Sequence, residues 1–170
     1  MFYQLNLLTR RKHGVPPQPL QFFENLWSML RPGGNVEILV AELHDRPVAS
    51  IVLLAYKDTV TYAYGASDPA FLRHAPNHSL FDSALGWTLE RGRRFFDFGR
   101  TAPDNEGLME FKRQWGADFL PLPYYYWPNR GGFVSEAEAS WKHRLFTSVW
   151  RRLPLAATAL VGPPLYRHLA

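Results

Sequence analysis

Hydrophobic residues along this chain recur at two different spacings. Leu20, Phe23 and Trp27 follow the spacing of a helix that buries one face, whereas residues 60–64 alternate as in a half-buried strand. The same patterns predict helices at residues 2–13, 19–30, 78–91, 106–115 and 136–152. They predict strands at residues 36–43, 48–56, 60–64, 94–98 and 119–127. Pro121 and Pro123 put the last strand at a sheet edge.

The order of these elements predicts an α+β fold. Two helices precede an antiparallel meander of three strands, and two βα units follow, which gives a mixed sheet with a parallel step. A ligand is expected where the strands splay at that step. We assign residues 1–130 to this domain and residues 131–170 to a basic amphipathic helical tail, broken at Pro154 and again around Gly162–Pro164.

The charge also differs between the two parts of the chain, with the change at residue 139. The formal charge is +4, yet residues 1–138 contain 14 Lys/Arg and 15 Asp/Glu, so that part carries −1. Residues 139–170 contain five Lys/Arg and no acid, for a charge of +5. A nearly neutral domain argues against broad nucleic-acid binding, whereas a basic amphipathic tail suits an anionic membrane surface or a partner.

Composition excludes several classes of site. The chain has no cysteine, which rules out disulfides, zinc–thiolate sites and a cysteine nucleophile. The six histidines are scattered, and no carboxylate-rich cluster accompanies them, so we expect no metal. The first residues lack the apolar core of a signal peptide, so we expect a cytoplasmic protein, which the tail would place peripherally on the inner face of the membrane.

Three charged residues stand in an apolar and aromatic frame. Asp97 and Arg100 lie in the segment FFDFGRT (95–101), and Lys112 lies in GLMEFKRQWG (107–116). Charged groups in such surroundings are costly unless they are paired or used in function. This strand, turn and helix therefore form the candidate site.

Four motifs in this order resemble the Fem-type branch of the GNAT acyltransferase superfamily, which includes FemAB-like proteins. They are HGVPP (13–17), YGAS (64–67), FDFGRT (96–101) and FKRQWG (111–116). The tail, with WRRLP (150–154), is similar to the FemAB-like C-terminus. Fem-type proteins carry two GNAT-like halves in tandem, and this chain resembles the second half.

The resemblance implies roles for individual residues. Lys112 matches the lysine of the family's Phe-Lys motif and would stabilise the oxyanion of acyl transfer. Arg100 would bind an anionic group and Asp97 would position it, with general-base action as a second role for Asp97. Phe111, Tyr64 and Trp115 are the expected substrate-binding residues.

The residues alone leave structural interpretations open. Lys112 is equally consistent with a solvated helix lysine paired with Glu110 or Asp104, and Arg100 with a structural ion pair to Asp97 or Asp104. Tyrosines at strand spacing are more often core than cleft residues.

The acyl donor stays open at this stage. CoA-dependent GNAT enzymes hold pyrophosphate on a glycine-rich loop before a helix, where backbone N–H groups are available. The matching residues, 69–77, contain no glycine and two prolines, which have no N–H to donate. This disfavours acetyl-CoA and leaves aminoacyl-tRNA as the other donor that the resemblance implies.

We therefore expect an acyl- or aminoacyltransferase that acts on an amine of a cell-envelope precursor, related to peptidoglycan or exopolysaccharide. Two alternatives remain: a non-catalytic half-domain that serves as a binding or assembly module, and a CoA-dependent N-acetyltransferase. The half-domain would pair with itself or with a separate first half.

Overall fold

The computed structural model describes residues 1–123, 125 and 140–169. Its helices are α1 Phe2–His13, α2 Leu20–Leu30, α3 Pro76–Glu90, α4 Glu106–Gln114, α5 Ser140–Arg152 and α6 Leu155–Leu169. Its strands are β1 Val36–Leu43, β2 Arg46–Tyr56, β3 Thr59–Ser67 and β4 Phe95–Asp97.

The four strands form one mixed sheet in the order β1-β2-β3-β4. β1 pairs with β2 and β2 with β3 in antiparallel register, whereas β3 and β4 are parallel with α3 as the crossover. Only Thr59, Val60 and Thr61 of β3 pair with β4. The predicted α+β fold with a meander and a parallel step is confirmed, and the sheet opens beyond Thr61.

Helices cover both faces of the sheet, and each face has its own core. On one face, Leu80, Ala84 and Trp87 of α3 pack against a row of strand residues that includes Leu53 and Val60. On the other, Phe2 and Leu5 of α1 and Phe23 of α2 pack against strand residues, which are Val36, Val52 and Ala66. Burial of these side chains is the main source of stability, and it fixes which strand positions face each helix layer.

A β-bulge in β3 changes the alternation that the sequence predicts. The pairing register shifts between Val52 and Leu53 of β2. These residues pair with Tyr64 and Tyr62 of β3, which leaves Ala63 as the extra residue. The extra residue turns the strand by one position, so Tyr62 packs with the α3 core and Tyr64 with the α1–α2 core. Residues two apart would otherwise share a face.

The predicted strand at 119–127 is wrong for the residues that the structure describes. Residues 119–123 and 125 have no strand structure, and the remaining positions of that prediction lie outside the described residues. Pro121 and Pro123 cannot donate to a ladder, and Leu120 is 88% exposed, so this segment has neither backbone partners nor a buried face.

The helical tail is confirmed over residues 140–169, while 136–139 of the predicted helix and the proposed domain boundary at 130 lie outside the described residues. The break at Pro154 separates α5 from α6. The second predicted break is wrong, because α6 continues through Pro163 and Pro164. α6 packs against α1, and a β-carbon on Gly162 would overlap the ring of Pro17. This close packing offsets the backbone hydrogen bonds that the prolines cannot make.

No helix in the described part of the chain combines the length and the apolar character needed to cross a membrane.

Candidate active site

A cavity of about 230 Å³ lies where the sheet opens, between α3, the turn after β4, and α4. It brings together residues from four separate elements. Its lining residues are Tyr62, Asn77, Phe81, Phe98, Arg100, Leu108, Phe111 and Lys112. Three of the six predicted site residues, Arg100, Phe111 and Lys112, therefore line one cavity.

Lys112 is the buried charge of this cavity. Its side chain extends from α4 to the turn after β4, and the residue is only 5% exposed. The ammonium Nζ donates to the carbonyl oxygen of Gly99 at 2.6 Å and to that of Arg100 at 3.4 Å. Burial lowers the pKa of Lys112, and the negative charge of Asp97 opposes that change. A lysine held in this way is not the solvated helix lysine that the sequence also allowed.

The turn that holds Lys112 is itself fixed by Asp97. The Oδ1 of Asp97 accepts a hydrogen bond from the Gly99 amide at 2.7 Å. Gly99 has φ +73°, a left-handed conformation that glycine adopts without steric cost, and this directs its carbonyl towards Lys112. The Asp97 side chain is exposed rather than buried. Through its hydrogen bond to the Gly99 amide, it fixes the backbone immediately before Arg100.

Arg100 is exposed at the mouth of the cavity. A guanidinium there, with a buried ammonium deeper in the wall, makes this side of the cavity positive. Carboxylate and phosphate are the groups that a guanidinium binds with two parallel hydrogen bonds.

The opposite wall is aromatic and centres on Phe81 of α3. The Phe81 ring lies 5.0 Å from Tyr62, 5.3 Å from Phe98 and 5.3 Å from Phe111, measured between centroids. Trp115 supports this wall through contacts with Phe81 at 6.2 Å and Phe111 at 6.4 Å. Such a wall excludes water and strengthens electrostatic interactions inside the cavity.

Tyr64 lies on the other face of the sheet. Its ring packs against Phe22 at 6.0 Å and Phe23 at 5.3 Å, in the α1–α2 core. The bulge instead brings Tyr62 into the cavity, and burial raises the pKa of its hydroxyl, so the group stays protonated over the physiological range. A protonated phenol can donate a hydrogen bond or a proton to a reacting group.

Sequence reasoning missed Asn77 and His78 as neighbours of the cavity. The predicted helix begins at residue 78, but the N-cap of α3 is Ala75, so Asn77 lies in the first turn and lines the cavity. His78 packs its ring against Phe111 at 5.2 Å. The Pro76-Asn77 pair was the available signal, because proline favours the first helical position and places asparagine after it.

The segment before α3 uses many of its own backbone donors. Residues Pro69–His74 form a 3₁₀ helix capped by Asp68, whose Oδ1 accepts from the Ala70 amide at 3.0 Å. Ala75 and His78 donate to carbonyls of Leu72 and Ala75 within the same segment. A pyrophosphate cradle needs amides that point outward, and these point into the turn.

Among the described residues, no group of three or more His, Asp or Glu side chains is positioned to hold a metal ion.

Known proteins resemble this chain in sequence and fold. The lipid II:glycine glycyltransferase of Staphylococcus saprophyticus subsp. saprophyticus is 21% identical over 183 aligned positions, which cover 68% of this chain and 44% of that protein. The chain thus spans less than half the length of this curated relative.

Two solved structures share the fold. FemX superposes with a TM-score of 0.59 and 19% identity, over 66% of this chain and 46% of FemX. The aminoglycoside acetyltransferase meta-AAC0020, from an uncultured soil metagenomic sample, superposes with a TM-score of 0.58 and 18% identity, over 75% of this chain and 88% of that chain. The glycyltransferase and FemX support the Fem-type branch that the motifs predict.

The model of one protein family, described as the acetyltransferase (GNAT) domain, matches residues 2–113. That range is more than half of the chain, and it contains every residue that lines the cavity. The sequence motifs, the mixed sheet that opens at its parallel step and this match agree, and the chain belongs to the acetyltransferase (GNAT) domain family.

Proposed function

We propose that this domain transfers an acyl or aminoacyl group to an amine of a cell-envelope precursor, with the reaction centred on Lys112. The observation that carries the proposal is the Lys112 ammonium, which two backbone carbonyls hold in the wall of an aromatic cavity. Burying a charged amine is costly, and GNAT domains are acyltransferases, so use in acyl transfer accounts for the cost.

The reaction has one bond made and one broken. The amine nitrogen attacks the carbonyl carbon of a thioester or aminoacyl ester, forming a C–N bond and a tetrahedral oxyanion. Collapse of that intermediate breaks the C–S or C–O bond, and the leaving sulfur or oxygen takes the proton that the amine loses. Lys112 uses two of its three N–H donors on Gly99 and Arg100, so among the described contacts a third remains for the oxyanion.

The other groups have supporting roles in this scheme. Arg100 binds a carboxylate or phosphate of the substrate at the mouth, and Asp97 positions the turn that carries it. Phe111 contacts the substrate directly, and Trp115 supports that ring. Tyr62 is a candidate donor of the leaving-group proton. A substrate contact by Tyr64 stays a prediction from the motif, since its ring lies in the other core.

Aminoacyl-tRNA is the donor that we favour. The 3₁₀ helix before α3 directs amides inward, which does not suit a bound CoA pyrophosphate. The similarity to a lipid II:glycine glycyltransferase supports both an aminoacyl donor and an envelope precursor as acceptor. CoA-dependent N-acetylation is the second candidate, because aminoglycoside acetyltransferases share the fold.

Position in the cell and partners belong to the same proposal. Residues 139–170, with a charge of +5, would hold a cytoplasmic domain against the inner face of the membrane, where lipid-linked precursors lie. The proposed partner is a second GNAT-like unit, either another copy or a separate first half, because the Fem-type proteins that the motifs resemble carry two such halves. A non-catalytic role within such a pair is the alternative to catalysis.

The test is turnover by the intact protein with two donors, glycyl-tRNA and acetyl-CoA, and with lipid II as acceptor. We expect Lys112→Ala to lower kcat by about 10²–10³-fold, the usual cost of removing an oxyanion donor. Lys112→Arg keeps the charge and should retain part of the activity. Lys57→Ala, which removes an exposed turn lysine, is the matched control and should leave kcat unchanged.

Turnover with glycyl-tRNA alone supports the favoured donor, and turnover with acetyl-CoA alone supports the second candidate. Equal kcat for Lys112→Ala and wild type would exclude Lys112 from the chemistry. No turnover with either donor, with or without a supplied first half, favours the non-catalytic alternative.

A further inference from the structure

A second cavity, of about 520 Å³, lies between the C-terminal end of α1 and α5. Its lining is polar and mostly basic. The lining residues are His13, Arg144, Thr147, Ser148, Arg151 and Arg152. α1 belongs to the layer on the opposite face of the sheet from α3, so this cavity is separate from the one that Lys112 lines.

The elements around this basic cavity bring no acidic side chain to Arg151 and Arg152. α1 and α5 contain no Asp or Glu, and neither do α6, β2 and β3, which also contact α1. The effect is visible on His13, whose pKa is lowered by burial and then by the charges of Lys12, Arg10 and Arg151. The field in the cavity therefore opposes a further positive charge and attracts an anion.

Hydrogen-bond donors accompany the charge. The Thr147 hydroxyl lies within the cavity wall, and its buried Oγ1 has no hydrogen-bond partner among the described residues. Thr147 is held in place, because its methyl group packs so closely on Gly14 that a β-carbon there would overlap it. Buried hydroxyls nearly always have partners, so this one is available to hydrogen-bond a ligand in the basic cavity.

The end of α1 does not cancel this attraction. The carbonyl groups at a helix C-terminus carry a partial negative charge that repels anions. Here Gly14 and Val15 donate to the carbonyls of Arg11 and Arg10, each at 3.0 Å, so these oxygens are occupied by the helix cap.

We infer that the cavity between α1 and α5 binds a phosphate-bearing anion, of which a diphosphate is the best match to the adjacent Arg151 and Arg152. Guanidinium groups hold phosphate oxygens with paired hydrogen bonds, and the Thr147 and Ser148 hydroxyls add neutral donors. The volume of the cavity accommodates a diphosphate with ordered water.

Exposed apolar residues beside the basic cavity indicate that a lipid headgroup is the source of phosphate to compare with the free anion. Leu145 is 58% exposed and Val149 54% exposed, one turn apart on α5. Apolar side chains next to clustered arginines are typical of helices that lie in a membrane interface, where the phosphate belongs to a lipid headgroup.

The experiment measures binding of sodium pyrophosphate to the intact protein by calorimetry. It also measures flotation with vesicles of phosphatidylglycerol in phosphatidylcholine, compared with phosphatidylcholine alone. The double variant Arg151→Gln/Arg152→Gln should weaken binding by at least about tenfold. Arg73→Gln removes one charge from the exposed 3₁₀ helix and is the control, with an expected change below about twofold.

Loss of pyrophosphate binding in the double variant supports a site for the free anion. Loss confined to the anionic vesicles supports the same site with a lipid headgroup as its source. The inference is overturned if the wild type binds neither probe, or if Arg73→Gln loses as much as the double variant.

A measurement on the wild type tests the site even if the double variant fails to fold. In an NMR titration with pyrophosphate, binding should raise the pKa of His13, because the anion offsets the neighbouring positive charges. The exposed His74 should not follow. An unchanged His13 at saturating pyrophosphate contradicts a site for the free anion. None of these measurements involves acyl transfer, so their failure leaves the proposed reaction untouched and counts only against the membrane position proposed for residues 139–170.

Discussion

The hydroxyl group of Tyr62 lies directly over the α-carbon of Gly65, so that a β-carbon at Gly65 would overlap the phenol oxygen. The two residues are three apart in sequence and share a face only because β3 contains a bulge between them. Gly65 thus provides the space in which Tyr62 lies against the cavity, and this contact links the YGAS motif to the candidate site.

Gly65→Ala should displace Tyr62 and destabilise the protein by about 1–3 kcal/mol, the range for overpacking a core. Urea unfolding measures this, and the glycyl-transfer assay should show a lower kcat as well. Gly86→Ala in α3 is the matched control, because a β-carbon there meets nothing within 4 Å. It should stabilise the helix by about 0.5–1 kcal/mol. Equal stabilities of the two variants would show that the Tyr62–Gly65 contact has no energetic weight.

Tyr62→Phe removes one oxygen and leaves the aromatic wall intact. If the hydroxyl donates the leaving-group proton, kcat should fall by about 10²-fold while the melting temperature stays nearly constant. Tyr64→Phe makes the same chemical change in the core on the other face. We expect it to leave kcat unchanged, and a reversed result would assign the substrate contact to Tyr64, as its motif implies.

Asp97→Asn separates the charge of Asp97 from its hydrogen bond. An asparagine oxygen can still accept from the Gly99 amide, but the negative charge that favours protonated Lys112 is lost. The pKa of Lys112 should then fall further. Since the protonated form is the active one, kcat should decline at a lower pH than in the wild type. Measured pH–rate profiles test this.

Asp97→Ala is the companion variant, because it removes the hydrogen bond as well. It should lower kcat at every pH, not only in the alkaline range. Identical profiles for the wild type and Asp97→Asn would mean that Lys112 does not act in its protonated form.

Gly14→Ala should weaken the packing of α5 against α1. Gly14 has φ +75°, and a β-carbon would overlap Thr147. Gly92→Ala is the control, because Gly92 has φ +63° but open space around it, so it shows the backbone strain alone, about 1 kcal/mol. We expect Gly14→Ala to lower the free energy of unfolding by a further 1–3 kcal/mol or so, and to weaken pyrophosphate binding, because the overlap displaces Thr147. A loss equal to that of Gly92→Ala would rule out close packing of α5.

Periodicity predicted most of the fold, because α1 and α2 each bury one face at a helical spacing, and β2 is a continuous apolar run that is buried on both faces. It could not predict the bulge in β3. One extra residue reverses the face of every residue that follows, and no hydrophobic pattern marks the insertion. The prediction therefore placed Tyr62 and Tyr64 together, whereas the sheet separates them.

The burial of Lys112 was equally beyond the pattern. Its neighbours in α4 are consistent with a solvated lysine, and what buries it is a turn 12 and 13 residues earlier in the chain. For residues 119–123 the alternation predicted a strand that does not form. Their two prolines have no N–H group to donate to a neighbouring strand.

The two carbonyls that hold Lys112 also bear on the entropy of the reaction. A lysine side chain has four rotatable bonds, and ordering it costs up to about 2 kcal/mol. Folding already orders this one, because Gly99 and Arg100 hold its Nζ before any substrate is present. An acyl group that enters the cavity meets a cation whose freedom has already been lost, and the binding step does not have to restrict it again.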